Sequence, residues 1–348
     1  GEPNWKPRKK VDLSSSGVNE VYVRVGPGGL VIVLWTEGSS AFTPPRYRVM
    51  ANEYLPASGW RANPITVSGW EAPRQENLLS DPVMDGGGTL TTAWYSASPP
   101  GSSSKSAIFS KSRTIATGWP VNSSKICADT THTLTTPRLA VGEDGSVAAM
   151  WWRSNSMPTK SEKVSANARE PGGNWEPVEV DLSPWEDSIN LSGVDFWPGG
   201  TAVFMWSITD DTRPSTSDSA VFWNSRHGGV WGGGGQGQLG DWEDVLAGAA
   251  FKLSSDGSGA ASWAVKKSKN KNSVMVSIWP PGGPWDPPVT IASGYSFTAV
   301  HWEGMALGVG GRDFGAVWYA GDNSTPSQLA LMYASTAGNS LFMPISIR

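Results

Sequence analysis

One cysteine, Cys127, in 348 residues leaves no partner for an internal disulfide. Three histidines, His132, His227 and His301, show no metal-ligand spacing, and no GxSxG, HExxH, phosphate-loop or dinucleotide fingerprint is present. No apolar run is long enough to span a bilayer and no secretory leader stands at the start; the abrupt beginning at Gly1 is what processing or trimming would leave. Charge is sparse and nearly balanced, 27 Lys and Arg against 31 Asp and Glu, for a net charge of −4. Its one cationic run, Lys266, Lys267, Lys269 and Lys271, falls in a single loop and reads as solvated, which argues against nucleic acid as a partner. Helical periodicity is missing as well.

What the chain has is tryptophan, in register. Trp35, Trp94, Trp151, Trp206, Trp263 and Trp318 recur at spacings of 59, 57, 55, 57 and 55 residues, each closing a short apolar run. A second series, Trp5, Trp60, Trp119, Trp175, Trp231, Trp285 and Phe342, keeps the same phase. Self-similarity at this period marks a repeat architecture and makes the 348 residues one domain rather than two or three. Six residues before each first-series Trp stands Gly29, Gly88, Gly145, Gly200 or Gly257, with Arg312 in the sixth copy. A glycine there suits a two-residue hairpin, which needs positive φ. Alternating stretches flank it (VYVRV and VIVLW, PRLAV and SVAAMW), a third strand follows a loop of roughly ten residues, and the second-series Trp opens a fourth. The 41 glycines and 26 prolines sit at these repeat-phased turns. The expected fold is all-β, a six-bladed β-propeller of four-stranded antiparallel blades. Which terminal segment completes the last blade, 5–14 or 342–348, stays open.

Aromatic residues that recur once per unit read as packing between blades, so function is sought where the repeat breaks. Topology puts the loops between fourth and first strands, and between second and third, on one face. The former carry Trp70 with Glu71, His132, Trp185 with Glu186 and Asp187, Trp242 with Glu243 and Asp244, and Tyr295; the latter open on Tyr95, Trp152 with Arg153, and Tyr319. On the innermost strand, positions twelve and ten before the first-series Trp are nearly all apolar, from Val23 and Val25 to Phe251 and Leu253, and are expected to pack. Alternate positions hold Tyr22, Asp81, Arg138, Arg24, Asp195 and Lys252, which either line a charged channel or pair with one another. The three sequons at Asn122, Asn190 and Asn323 fall in expected loops and favour a secreted or extracellular protein.

The stretch SSDGSGAASW approaches the Asp-box of sialidases, but Ser258 stands where that box needs glycine, and the Asp-Gly lies in the first hairpin. In blade number and tryptophan content the chain resembles six-bladed fungal lectins of the fucose-binding and tectonin types. In size and general character it resembles the fungal hetero-Diels-Alderases of tropolonic sesquiterpene pathways, which implies a cofactor-free cyclase. The loops between second and third strands (TEGSSAFTPP, YSASPPGSSS, WRSNSMPTKS, SITDDTRPST) share length but no side-chain pattern, which points to one asymmetric site rather than a repeated one. The reading taken from the sequence is therefore a single-site propeller that cyclises a largely apolar small molecule, with no cofactor, no metal, no membrane and no stated oligomeric state. Arg153, Arg138 and Asp81 would be catalytic; Trp152, Tyr95, Tyr319, Trp185, Trp242, Trp70 and Tyr22 would hold the substrate. The alternative is a glycan-binding lectin, and after it a glycoside hydrolase or lyase with two carboxylates.

Overall fold

The computed structural model describes residues 17–42, 45–70, 79–97, 106–155, 161–214, 218–245, 249–268 and 271–295, and the strands at 306–310, 313–321, 329–335 and 345–346. The chain is all-β: among the described residues the only helical turn is a 3-10 turn at Pro27–Gly29. Each repeat runs up and down through four antiparallel strands of the kind that make propeller blades. Repeat 3, for example, uses Arg138–Val141, Val147–Ser154, Glu162–Arg169 and Val180–Asp181. Repeats 4 and 5 share one sheet, because the long strand Val230–Val245 continues onto the second strand of the next repeat at Asp244↔Lys266 and Val245↔Val265. In the last sheet Ile345–Ser346 pairs with Leu329–Ser335, so the C-terminal segment supplies its fourth strand.

The hairpin glycines are left-handed as the sequence demands, with φ of 80° at Gly88, 88° at Gly145 and 85° at Gly257. The loops are three residues long rather than two. Gly145 N–H donates to the Gly142 carbonyl and Gly142 N–H to the Ser146 carbonyl, a tight turn closed by one left-handed residue. Asp144 and Asp256 fix the same turn by accepting the N–H two residues on, from Ser146 and Ser258. Arg312 lies outside the described residues. Fourth strands begin later than expected in repeats 3 and 5, at Val180 and Val289 instead of Trp175 and Trp285. Pro177, Pro287 and Pro288 follow those tryptophans and have no N–H for a ladder.

The chain divides into two compact units, Gly1–Pro137 and Arg138–Arg348. Within each, neighbouring sheets meet by a fixed rule of faces. Trp94 of repeat 2 packs on Ile32 and Leu34 of repeat 1. Trp206 of repeat 4 packs on Ala148 and Met150 of repeat 3, and Trp263 of repeat 5 on Val203 and Met205 of repeat 4. The first-series Trp thus faces the preceding sheet, and the residues one and three before it face the following one, as the period of two requires. Trp5 and Phe342 lie outside the described residues.

Two tryptophans of the second series, Trp119 and Trp231, are tied by polar groups. Glu53 of repeat 1 accepts Arg113 Nε at 3.1 Å, Arg113 Nη2 at 3.3 Å and Trp119 Nε1 at 2.9 Å from repeat 2. Glu176 of repeat 3 does the same for repeat 4, accepting Arg226 Nε at 2.8 Å and Trp231 Nε1 at 3.0 Å, with Glu170 on the other arm of Arg226 at 2.7 Å.

On the innermost strands, Val194, Phe196 and Phe251 pack as expected, but Val23 and Val25 are 49% and 70% exposed. Val194 and Phe196 lie on an edge strand as Val23 and Val25 do, and what covers Val194 and Phe196 is the cluster shared with repeat 3. One sequon also departs from expectation: Asn190 lies inside the strand Ser188–Trp197, opposite Ser207, whereas Asn122 is exposed in a bend. Asn323 is outside the described residues.

Candidate functional site

Three half-buried tryptophans stand three residues past the same ladder position of their repeats. Two of them, Trp70 and Trp185, come just after the fourth strand on one shared local design, and the third, Trp242, lies within the strand Val230–Val245. In repeat 1, Val67 N–H donates to the Val49 carbonyl at 2.8 Å and Val49 N–H donates to Ser68 Oγ at 2.8 Å. In repeat 3, Leu182 N–H donates to the Val164 carbonyl at 2.8 Å and Val164 N–H to Ser183 Oγ at 2.9 Å. Both serines pass their own proton to the next carbonyl, at Gly69 and Pro184. The serine clasp ends the ladder and sets Trp70 and Trp185 at the same place in their own repeats. In repeat 4, Leu239 opposes Val221 in the equivalent register, and Gly240 and Asp241 lead to Trp242.

Each of these rings carries a cation on its face, and each cation carries a carboxylate. The Arg48 guanidinium carbon is 4.5 Å from the Trp70 centroid, and Glu37 Oε2 accepts Arg48 Nε at 2.9 Å. Lys163 Nζ is 4.8 Å from the Trp185 centroid and 2.5 Å from Asp181 Oδ2. Arg213 lies 3.8 Å from the Trp242 centroid, with Asp210 Oδ2 at 3.3 Å from its Nε. Repeats 3 and 4 are joined at this rim by Asp187 Oδ2, which accepts Asp211 N–H at 3.0 Å. Glu162 and Glu186 exchange backbone hydrogen bonds beside Trp185. Burial pushes the Glu162 carboxyl up from 4.5, against the Ile189 N–H it accepts at 2.7 Å. A cation over an exposed ring contributes about 0.5–1 kcal/mol, and a surface ion pair no more. The arrangement is a weak stabiliser and an ordered surface: a half-buried indole with a cation on its face, beside fixed donors and acceptors, with Phe42 against Trp70 and Phe222 against Trp242.

The other residues named from the sequence sit elsewhere. Trp152 points away from Trp151, as adjacent strand residues must, but its environment is the core between repeats 3 and 4. Tyr95 is 3% exposed, on the face of its strand opposite Trp94. Arg153 is buried and ion-paired with Glu179, and Arg138 is exposed at the start of its strand. Asp81 pairs with Arg24, whose Nε also donates to the Pro82 carbonyl at 2.7 Å. Lys252 pairs in the same way with Asp195 at 2.6 Å, so these inner-strand charges join neighbouring repeats. Tyr22 is half-buried, its hydroxyl 3.4 Å from the Leu79 carbonyl. Tyr319 lies in the strand Asp313–Gly321, opposite Leu331; its side chain and Glu71 are outside the described residues. Asp129 and His132 form a local clasp, Nδ1 to Oδ2 at 2.9 Å. His227 is exposed, with Nδ1 2.6 Å from Thr201 Oγ1, and His301 is outside the described residues. Among the described residues no cluster of three or more His, Cys, Asp or Glu is placed to hold a metal.

Reading the sequence through the loops between second and third strands missed the repeated element, because the cations sit mostly on the third strand. A signal for it exists: Arg48 and Lys163 each precede their tryptophan by 22 residues.

No protein-family model and no curated protein matches the chain. Among solved structures it is similar to a mutant puromycin hydrolase (16% identity over 94% of this chain, TM-score 0.49), of whose length it spans 45%. It is also similar to the Penicillium chrysogenum α-L-arabinanase complexed with arabinobiose, at 12% identity over 89% of this chain and 90% of that one, TM-score 0.43. A third is the β-propeller domain of the Trilobed protease from Pyrococcus furiosus, at 12% identity over 94% and 86%, TM-score 0.45. At these identities and scores none of them bears on what this chain binds.

Proposed function

We propose that this chain is a glycan-binding protein whose sites recur on the rim, one at each Trp–cation–carboxylate unit, in Trp70, Trp185 and Trp242. The observation that supports it is the repetition of that unit in three repeats, on an identical serine-clasped turn in repeats 1 and 3 and, in repeat 4, at the same offset from the ladder but within the strand Val230–Val245. An indole offers its face to the C–H side of a pyranose, while paired Arg or Lys and Asp or Glu, already oriented, exchange hydrogen bonds with vicinal hydroxyls. Closure of six blades into one ring, a secreted or extracellular location and independence of any cofactor belong to the same proposal.

Cyclisation at a single mouth draws less support. It relies on Arg153 as an oxyanion donor, whose guanidinium is occupied by Glu179, and on Tyr95 as a contact, which is buried.

A glycan array followed by calorimetric titration tests the proposal. The wild type should bind a glycan at more than one site per chain, and Trp185→Ala or Trp242→Ala should each remove about one site while leaving the fold intact. Stacking worth about 1–1.5 kcal/mol corresponds to roughly tenfold in affinity per site. An array without binding, beside an altered product distribution from a quinone methide or polyene substrate, would replace this reading with cyclisation.

A further inference from the structure

The three rim units differ in charge. Arg48, Lys163 and Arg213 are each balanced by one carboxylate, at Glu37, Asp181 and Asp210. Repeat 4 adds exposed Asp211, and the adjoining loop brings Asp187 against it, so that rim is acidic. Repeat 1 adds the opposite sign. Phe42 stands 5.4 Å from Trp70, tilted by 53°, and the guanidinium carbon of Arg46 lies 4.9 Å over the Phe42 ring. Arg46 has no carboxylate within ion-pair distance among the described residues. The order along this rim is therefore Arg46, Phe42, Trp70, Arg48, Glu37: two aromatic rings between two guanidiniums, with one carboxylate among the described residues paired to the two cations.

We infer that the repeat 1 rim is selective for a carboxylated sugar, a uronate, whereas the rims of repeats 3 and 4 take neutral sugars. This rests on the glycan reading above and adds to it a division of labour among the sites. Stacked on Phe42, the Arg46 fork is held in one plane, and a planar guanidinium matches a carboxylate through two parallel hydrogen bonds. The indole of Trp70 beside it is placed for the sugar ring that carries the carboxylate. At repeat 4 the same ligand meets Asp211 and Asp187, and like charges at short range reject it.

Trigalacturonate and its fully methyl-esterified form share a skeleton and differ only in charge, and calorimetric titration of both against the full chain separates the possibilities. At low salt one site should take the acid form about tenfold more tightly than the ester, the size of one charge-assisted pair. That preference should shrink in 0.5 M salt. Arg46→Ala should abolish the preference, Arg46→Lys should keep part of it, and Lys252→Ala, on an inner strand, should leave it unchanged. Equal affinity for acid and ester, or a preference that survives Arg46→Ala, overturns the inference while glycan binding that depends on Trp185 still stands. Failure of both forms and of all neutral glycans to bind removes this inference together with the reading it rests on.

Discussion

Glu53 holds three donors from the next repeat, two on Arg113 and one on Trp119, at a place where Arg113 and Glu53 are nearly solvent-free. Removing the carboxylate leaves a buried guanidinium with no counter-charge, so Glu53→Ala should cost about 3–5 kcal/mol in urea unfolding. An exposed pair such as Arg24 with Asp81 should lose under about 1 kcal/mol on the same measurement. Asp129 provides a pH test. Burial by itself pushes its carboxyl up, but the N–H groups of Thr131 and His132, the His132 ring and the Thr131 hydroxyl together bring it from 3.8 down to about 2. A carboxyl depressed in the folded state stabilises above its unfolded value and loses that stabilisation as pH falls through the folded one. The wild type should therefore lose stability between about pH 4 and pH 2 more steeply than Asp129→Asn, read as unfolding midpoints across that range.

Among the elements, the three-residue hairpins depend on one left-handed residue. At Gly257, φ is 85° and a Cβ would meet nothing within 4 Å, so Gly257→Ala tests backbone strain without a clash. It should cost about 1–2 kcal/mol in thermal or urea unfolding, with Gly257→Asn costing less because asparagine tolerates this region. Trp175, 7% exposed and with Arg169 5.5 Å from its ring, should cost about 3–5 kcal/mol when truncated to alanine. Trp152→Ala should also destabilise, because Trp152 belongs to the core between repeats 3 and 4 and not to an open rim. The two tryptophan series also differ in chemistry. The indole N–H groups of Trp35, Trp94, Trp151 and Trp206 are buried without a hydrogen-bond partner, whereas those of Trp119 and Trp231 reach Glu53 and Glu176. The first series fills volume, as does Trp285 of the second, while Trp119 and Trp231 pin neighbouring sheets.

At the scale of the molecule, stability is a sum of repeats and of the interfaces between neighbours. Because Trp206 projects from repeat 4 into repeat 3, Trp206→Ala should weaken both. Hydrogen exchange should accelerate in 147–154 and 162–169 as well as in 201–209, and less in 271–279, which lies across the far face. Equal acceleration in all of these segments would mean that 138–348 opens as a single unit.

The all-β class, the repeat period and the hairpin glycines were legible in the chain because each is a local rule: a period of two along strands, a positive φ at a turn, one large aromatic per unit. Trp70, Trp185 and Trp242 could also be picked out, since the Trp-Glu pairs stand beside the repeat. Their partners could not. Arg213 and Asp210, three residues apart in one loop, are local neighbours, and the fold adds only their place over Trp242. Arg48 and Glu37 come together only when second and third strands are in register, and Lys163 and Asp181 only when third and fourth are, a matter of pairing and not of sequence neighbourhood. The same holds for Trp152, Tyr95 and Arg153: alternation fixes that adjacent residues face opposite ways, but whether the face meets solvent or the next sheet is decided by packing between sheets. Local periodicity determined the elements, and the contact of one repeat with another decided which side chains remain on the surface to bind.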